Sequence, residues 1–419
     1  MDLRRNMTNH DNNNLLKQAA ALRKKKQLNQ AIEIYRKIFN FNPYFNIYRA
    51  TIKGYGYSQF QIKSIKNHLA KIDFASSPQI QTFRNLVYFP QYGSLYTWNG
   101  DRIIESCIRR GPNLGEIISS APTNINIPKN IKKYQGRILY LGHFFSHWGH
   151  FLTESISRLW GLQLFQNIPF LFHSPNINKV EEEQKEYIHK FLFYSSLNNN
   201  EFHLNFNSPI LISEVIIPEP SFYNRGKASH VHRIFPERVA KTIFQQKCDF
   251  NYNFYNQTTK QSAIYLSRSL LPKSARKIHG ETELEKELEK YDIKIIYPET
   301  LSFEEQIFLI NSYDTVIGCE GSALHLLFFR IRKAPLNLFM ITFPKVNANY
   351  SMMNIIKGVK TTYIKGLTSD QNSSKKGFRK DAVLDYEFVL KVLRKEGVLP
   401  MEILTKKQKD EILPRQIFS

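Results

Sequence analysis

Between residues 262 and 325 the sequence alternates short apolar runs with amphipathic ones three times over, and this pattern narrows the fold more than any other. Residues 262–268 read as a strand, 281–291 as a helix and 293–297 as a second strand, which Pro298 ends. Ser302-Phe303-Glu304-Glu305 opens the next helix in capping-box style. Residues 314–318 make a third, short buried strand. It runs straight into Cys319-Glu320-Gly321-Ser322-Ala323-Leu324-His325, a glycine-bearing turn that opens a helix. Strand and helix in threefold alternation make half of a nucleotide-binding parallel sheet.

The densest chemistry lies earlier. Residues 137–141 read as a buried strand that Gly142 ends, and an amphipathic run follows through Trp160. His143, His147, His150 and Glu154 therefore crowd a strand-to-helix turn. A helix beginning near Ser146 puts His147, His150 and Glu154 at i, i+3 and i+7, on one face. In open α/β folds the crevice beyond the carboxyl ends of strands is where ligands sit. A general base there needs one proton acceptor near neutrality; Glu154 is the first candidate, with His150 one helical turn away as its partner. The histidine offsets also suit a metal, but no HExxH, no nearby thiol and no Asp-x-Asp accompanies them, so no metal site is expected. Trp148 reads either as core or as a ring for stacking on a sugar.

A strand ending in Gly318-x-x-Gly321-Ser322 offers backbone N–H groups and a positive dipole end to a phosphate, though such turns also serve as plain connectors. It is neither a Walker pattern nor GxGxxG, which disfavours a hydride-transfer cofactor. Arg268 ends a strand in the same block, followed by Lys273, Arg276 and Lys277. These bases suit either a diphosphate fork or a solvated loop. The Gly-x-Ser-x-Gly elbow of hydrolases is absent.

Elsewhere the texture divides the chain at about residues 75, 225 and 370. Residues 15–42 form a helical pair that Pro43 stops, similar to a single tetratricopeptide-type unit, either an ordinary hairpin or a partner-binding surface. Residues 46–75 read as helical and basic, with a short helix over 66–72. Strands are expected at 86–89 and 94–98, with a turn at Asn99-Gly100 and a returning strand over 102–108. Residues 124–133 read as linker. Further strands fall at 168–172, 210–212 and 214–218, and helices at 181–192 and 236–246. Residues 249–261 form an Asn-rich loop, and 383–397 and 401–412 are terminal helices.

A chain of 419 residues suits two domains, and 31 Phe with 22 Tyr make the cores aromatic. The net charge of +22 asks for an acidic partner: nucleic acid, an anionic membrane, or phosphorylated and acidic sugars. The bases are scattered, which argues against a nucleic-acid stripe. Three distant cysteines suggest no disulfide framework. With no signal peptide and no spanning segment legible, a cytoplasmic protein is expected, its basic surface suited to peripheral contact with an anionic membrane.

Two blocks resemble glycosyltransferase family 61. His147-Trp148-Gly149-His150-Phe151-Leu152-Thr153-Glu154 with Arg158-Leu159-Trp160 is similar to its first signature. The second block runs from Ile264-Tyr265-Leu266-Ser267-Arg268 through Glu299 to Gln306 and ends at Gly318 to His325. The likeness covers about residues 85–365. It implies a GT-B architecture, with two Rossmann-like α/β domains facing across a cleft behind the helical N-terminal extension. It implies inverting, metal-independent transfer from a nucleotide sugar, a UDP-sugar above all, to a glycan or lipid-linked glycan acceptor in capsular or other surface polysaccharide assembly. No bound cofactor is implied. Arg268, Lys273, Arg276, Gly318, Glu320, Gly321, Ser322, Ala323 and His325 then hold the diphosphate, His143 and Trp148 face the acceptor, and Glu154, His150 and His147 form the catalytic group. The alternative is a scaffold working through its N-terminal hairpin with a vestigial transferase body. Two departures stand out: Glu154 where the family often has Asp, and Gly280-Glu281 where it often has Asn-Glu.

Overall fold

The computed structural model describes residues 51–74, 76–108, 121–145, 147–165, 168–173, 182–195, 203–247, 263–272, 274–332, 335–375, 380–400 and 414–418. The expected hairpin over 15–42, the loop over 249–261, the helix over 401–412 and Lys273 lie outside them. The first half of the described chain runs β1 (Thr51–Tyr55), α1 (Gln59–Leu69), β2 (Ile80–Phe89), β3 (Ser94–Tyr96), β4 (Lys132–His143), α2 (Trp148–Thr153), α3 (Gly161–Leu164), β5 (Phe170–His173), α4 (Glu182–Tyr194), β6 (His203–Leu204), β7 (Ile210–Pro218), β8 (Phe222–Tyr223), β9 (Lys227–Ala228) and α5 (Ile234–Lys247). The second half runs β10 (Ile264–Leu266), β11 (Ile278–His279), α6 (Glu281–Glu289), β12 (Lys294–Ile296), α7 (Phe303–Ser312), β13 (Thr315–Cys319), β14 (Asn337–Ile341), α8 (Ala348–Lys357), β15 (Lys360–Ile364), β16 (Leu367–Ser369), β17 (Ala382–Leu384), α9 (Tyr386–Lys395) and β18 (Arg415–Phe418).

A seven-stranded sheet has the order β12-β10-β13-β14-β15-β1-β18. Its neighbours are parallel except at the β18 edge. The cores of β10, β13 and β14 are buried almost throughout, the pattern of strands covered on both faces. From β10 the chain goes to β12 on one side and then to β13 on the other. The order of travel reverses between β10 and β13, and such a switch point opens a crevice at the strands' carboxyl ends. The second sheet, β3-β2-β7-β4-β5-β6, is mixed: β4, β5, β6 and β7 are parallel, and β2 runs against both β3 and β7. The architecture is thus mixed α/β with parallel sheet segments.

Several expectations needed correction. Residues 51–55 are a strand, not a helix: Ile52 and Tyr55 are buried and pair in parallel with β15. Residues 102–108 supply isolated bridges, Tyr96 to Arg102 among them, and a 3-10 turn at Ile104–Ser106 instead of a returning strand. The two runs over 210–218 are one strand. Strand β4 continues past Gly142, which sits at φ +83 beside a register shift against β5. The run after Gly321 is a 3-10 helix, Ser322–Phe329, not an α-helix. The capping box at Ser302 and Glu305 forms as expected. Among the described residues no helix is long and apolar enough to cross a membrane.

An aromatic seam joins the two sheets' flanking layers. Trp148 of α2 lies parallel to Phe329 at 6.1 Å and edge-on to Phe303 at 5.8 Å, and Phe303 meets Phe329 at 5.6 Å. Phe151 and Phe191 close it from the six-stranded half. Phe303 is wholly buried here. Phe303→Ala should lower unfolding stability by about 3–5 kcal/mol, the usual cost of emptying a buried aromatic site. Urea denaturation measures it, and an unchanged midpoint would contradict the seam's importance.

Candidate active site

Helix α2 is shorter than the sequence suggests. His147 caps its N-terminus and Glu154 follows its last residue, so the three groups do not share one regular helical face. They converge nonetheless. The His147 and His150 rings are 5.3 Å apart, and His150 Nδ1 is hydrogen-bonded to Glu154 Oε1. Asn224 Nδ2, from the turn between β8 and β9, donates to the same oxygen at 3.0 Å. Asn349 Nδ2 of α8 donates to Asn224 Oδ1 at 2.7 Å, which carries the network across to the seven-stranded half. The Glu154 side chain is 5% exposed and that of His150 46%. A carboxylate accepts, so His150 Nδ1 carries the proton and Nε2 keeps its lone pair.

Behind Glu154 sits Arg158, fully buried and donating to the carbonyls of Pro218 and, at 2.6 Å, Glu105. A side chain at Gly142 would press on this guanidinium, so the left-handed turn there needs glycine twice over. A cavity of about 20 Å³ lies between Glu154, Arg158 and His143, room for about one water. His143 ends β4 with its ring 4.8 Å from His173. Trp148 does not open onto this space, since its parallel neighbours are Phe151 and Phe329. The ring belongs to the seam.

On the other sheet, Arg268 follows β10 and Glu320-Gly321-Ser322 follows β13, so the switch point brings them together. A Cβ on Gly321 would overlap Arg268 Nη1, so the guanidinium lies in the space that glycine leaves. The Arg268 backbone N–H donates to Glu281 Oε1 at 3.0 Å, and Tyr265 OH donates to the same oxygen at 2.9 Å. Glu281, at the start of α6 behind the left-handed Gly280, thereby fixes where Arg268 leaves its strand. Arg276 lies over the Phe343 ring at 4.7 Å. Arg268 Nε and Glu320 Oε2 are enclosed without a hydrogen-bond partner among the described residues. Burial pushes the Glu320 carboxyl up to about 7, while Arg276 and Arg268 pull the other way.

Beyond Ser322 and Ala323 the 3-10 turn returns His325 towards the histidine cluster. Its Nδ1 donates to Ser322 O at 3.1 Å, leaving Nε2 as acceptor. Burial lowers its pKa to about 4, with His147 and His150 adding to the effect, so the ring is neutral at pH 7. A Cβ built on Gly149 would stand 3.4 Å from His325 Cε1 and 3.6 Å from the His147 ring, so the two halves of the site meet over a glycine. Gly318 sits inside β13, where a Cβ would touch Leu266 and Leu324, and therefore serves packing. Asn224 and Asn349 were not singled out from sequence, and Glu281 was noted only in the Gly280-Glu281 departure from the family pattern. Arg158 was noted only within the family-like signature. Among the described residues no three His, Cys, Asp or Glu side chains gather closely enough to ligate a metal ion.

The raised Glu320 value has a definite sign. The folded chain holds this proton more tightly than the unfolded one, so the group's stabilising contribution is complete below about pH 4.5 and is lost as pH rises through 7. The melting temperature of Glu320→Gln should therefore gain on that of the wild type between pH 4.5 and 8. A difference that stays constant over that range would contradict the assignment.

Residues 148–336 match the family model described as Glycosyltransferase 61. The matched stretch begins at Trp148 and takes in His150, Glu154, Arg268 and the Glu320–His325 turn. No curated protein matches the chain.

Proposed function

Because the chain carries a glycosyltransferase family 61 domain and is a transferase using a nucleotide-sugar donor and a glycan acceptor, we propose that it works by inversion and without a bound metal. The two sheets with their covering helices are read as the facing domains of a GT-B enzyme. The observation that carries this reading is the switch point, where Arg268 fills the space beside Gly321 and Arg268 Nε and Glu320 Oε2 are enclosed without partners. A nucleoside diphosphate laid there meets the Arg268 and Arg276 guanidinium groups and the backbone N–H groups after Gly321. Fixed donors of this kind stabilise the departing diphosphate as its charge develops. A UDP-sugar in surface polysaccharide assembly remains the favoured donor, and a lipid-linked glycan the favoured acceptor, with the basic surface resting against an anionic membrane.

The acid–base roles proposed here follow from exposure. Glu154 is enclosed and already accepts from His150 and Asn224. His150 is half exposed, with its Nε2 lone pair available. His150 therefore takes the proton from the attacking acceptor hydroxyl, and Glu154 orients the ring and stabilises the imidazolium that forms. His147 and the neutral His325 line the approach between the two halves.

Glu154→Gln and His150→Ala should each lower kcat by about 10²–10⁴, and the double variant should fall little further, because the pair acts as a unit. Both should bind nucleoside diphosphate as the wild type does. Full activity in His150→Ala would sink the role given to that ring. A thermal-shift panel of UDP, GDP and CMP, with and without EDTA, tests the donor site. A ligand at 100 times its Kd stabilises by about 2.7 kcal/mol, and Arg268→Ala should abolish the shift. No shift with any nucleotide would refute the transferase reading of the switch point.

A further inference from the structure

A cleft of about 950 Å³ opens between helix α1, the turn at Arg225 and the loop that follows β14. That is the size of a ligand pocket. Four bases line it from three separate parts of the chain: His68 and Lys71, Arg225, and Lys345. They lie within one another's field. His68 is held below its ordinary pKa by burial and then by Arg225, Lys71 and Lys345. Its Nε2 is enclosed and has no hydrogen-bond partner among the described residues.

Arg225 stands at φ +59, in the left-handed region that strains a residue with a side chain. Its turn is pinned on both sides, by Gly226 N–H to Tyr223 O at 3.1 Å and by Asp73 N–H to Gly226 O at 2.9 Å. The strained arginine is thus presented by a fixed turn. Phe60, 81% exposed, lies on the same lining. Glu320 is the one acidic side chain among the lining residues described.

We propose that this cleft binds an anionic saccharide, a sugar ring against Phe60 and its carboxylate or phosphate between Lys71, Arg225 and Lys345. Like charges gathered on a concave wall raise the local potential and draw in anions, and a bound carboxylate or phosphate turns their repulsion into charge-assisted hydrogen bonds. An aromatic face beside cations suits a ring that is apolar on one side and charged at its edge. Naming the occupant as the acceptor chain rests on the transferase reading. The binding itself does not.

Isothermal titration of the full chain at low salt, with tetragalacturonate, glucose 6-phosphate and maltotetraose, tests the site. At least one of the two anionic probes should bind, and their comparison distinguishes carboxylate from phosphate. Maltotetraose should bind at least about tenfold more weakly, the scale of one lost charged hydrogen bond. The double variant Arg225→Ala/Lys345→Ala should lose at least about tenfold for the anionic probe, and Phe60→Ala should also weaken it, while Arg268→Ala should not. Equal binding of the neutral probe, no binding of either anionic probe, or unchanged affinity in the double variant would overturn the proposal. Loss of the UDP thermal shift in the double variant, with no anionic saccharide bound by the wild type, would overturn it in favour of a donor site. Failure of UDP to bind the wild type would refute the donor assignment and leave this one standing.

Discussion

The site depends on the aromatic seam between Trp148, Phe151, Phe303 and Phe329. Trp148 begins the short helix that carries His150, and Phe329 ends the 3-10 turn that carries His325. Packing these rings against each other sets the distance between the histidine cluster and the turn that carries His325. Dense interiors behave as a jigsaw with few soft directions, so the histidine cluster and the Arg268 turn are held in one frame. The tie from Glu154 through Asn224 to Asn349 adds a polar strut to the same joint. A second tie holds α4 to α7, where Tyr194 OH and Lys190 Nζ both donate to Glu304, at 2.6 Å and 2.9 Å.

Within that frame, burial separates the candidate groups. Two groups one helical turn apart differ in exposure by nearly an order of magnitude, and the exposed one can reach a substrate. Across the joint, a missing side chain at position 321 makes room for a guanidinium, while burial raises Glu320 towards neutrality beside it. An arginine pair facing a carboxyl that burial pushes towards its neutral form carries more net positive charge than it would beside a fully ionised one. That suits a crevice whose occupant is a multiply charged anion.

What sequence could tell follows from which forces are local. Strands β10 and β13 were legible because both their faces are covered, which leaves continuous apolar runs. The Ser302–Glu305 cap was legible because its partners lie three residues apart. Strand β1 was not, since its partner β15 is remote in sequence and its own residues mix lysine and glycine with Ile52 and Tyr55. The 3-10 geometry after Gly321 was hidden too, because the run from Ala323 to Phe329 is apolar at every position but His325 and carries no period to read. Glu154 and His150 announced themselves by spacing, but which of the two is buried depends on Asn224, and an asparagine in a polar turn gives no warning of a partner. Trp148 was open to two readings, and only its contacts chose the seam.

The pairing of β1 with β15 and β18 also bears on how the protein is made. The first described strand and the last lie side by side at one edge of the same sheet. During synthesis the six-stranded half, whose strands end at Pro218, can close while the rest of the chain is still being added. Strand β1 cannot: its partner begins at Lys360, so an edge with open backbone groups waits until that residue has been added. The seven-stranded sheet is therefore completed only after β15 has been added, and the cleft wall formed by α1, just after β1, takes its place no earlier. A ribosome-bound fragment ending before residue 360 holds one folded sheet and an unclosed one.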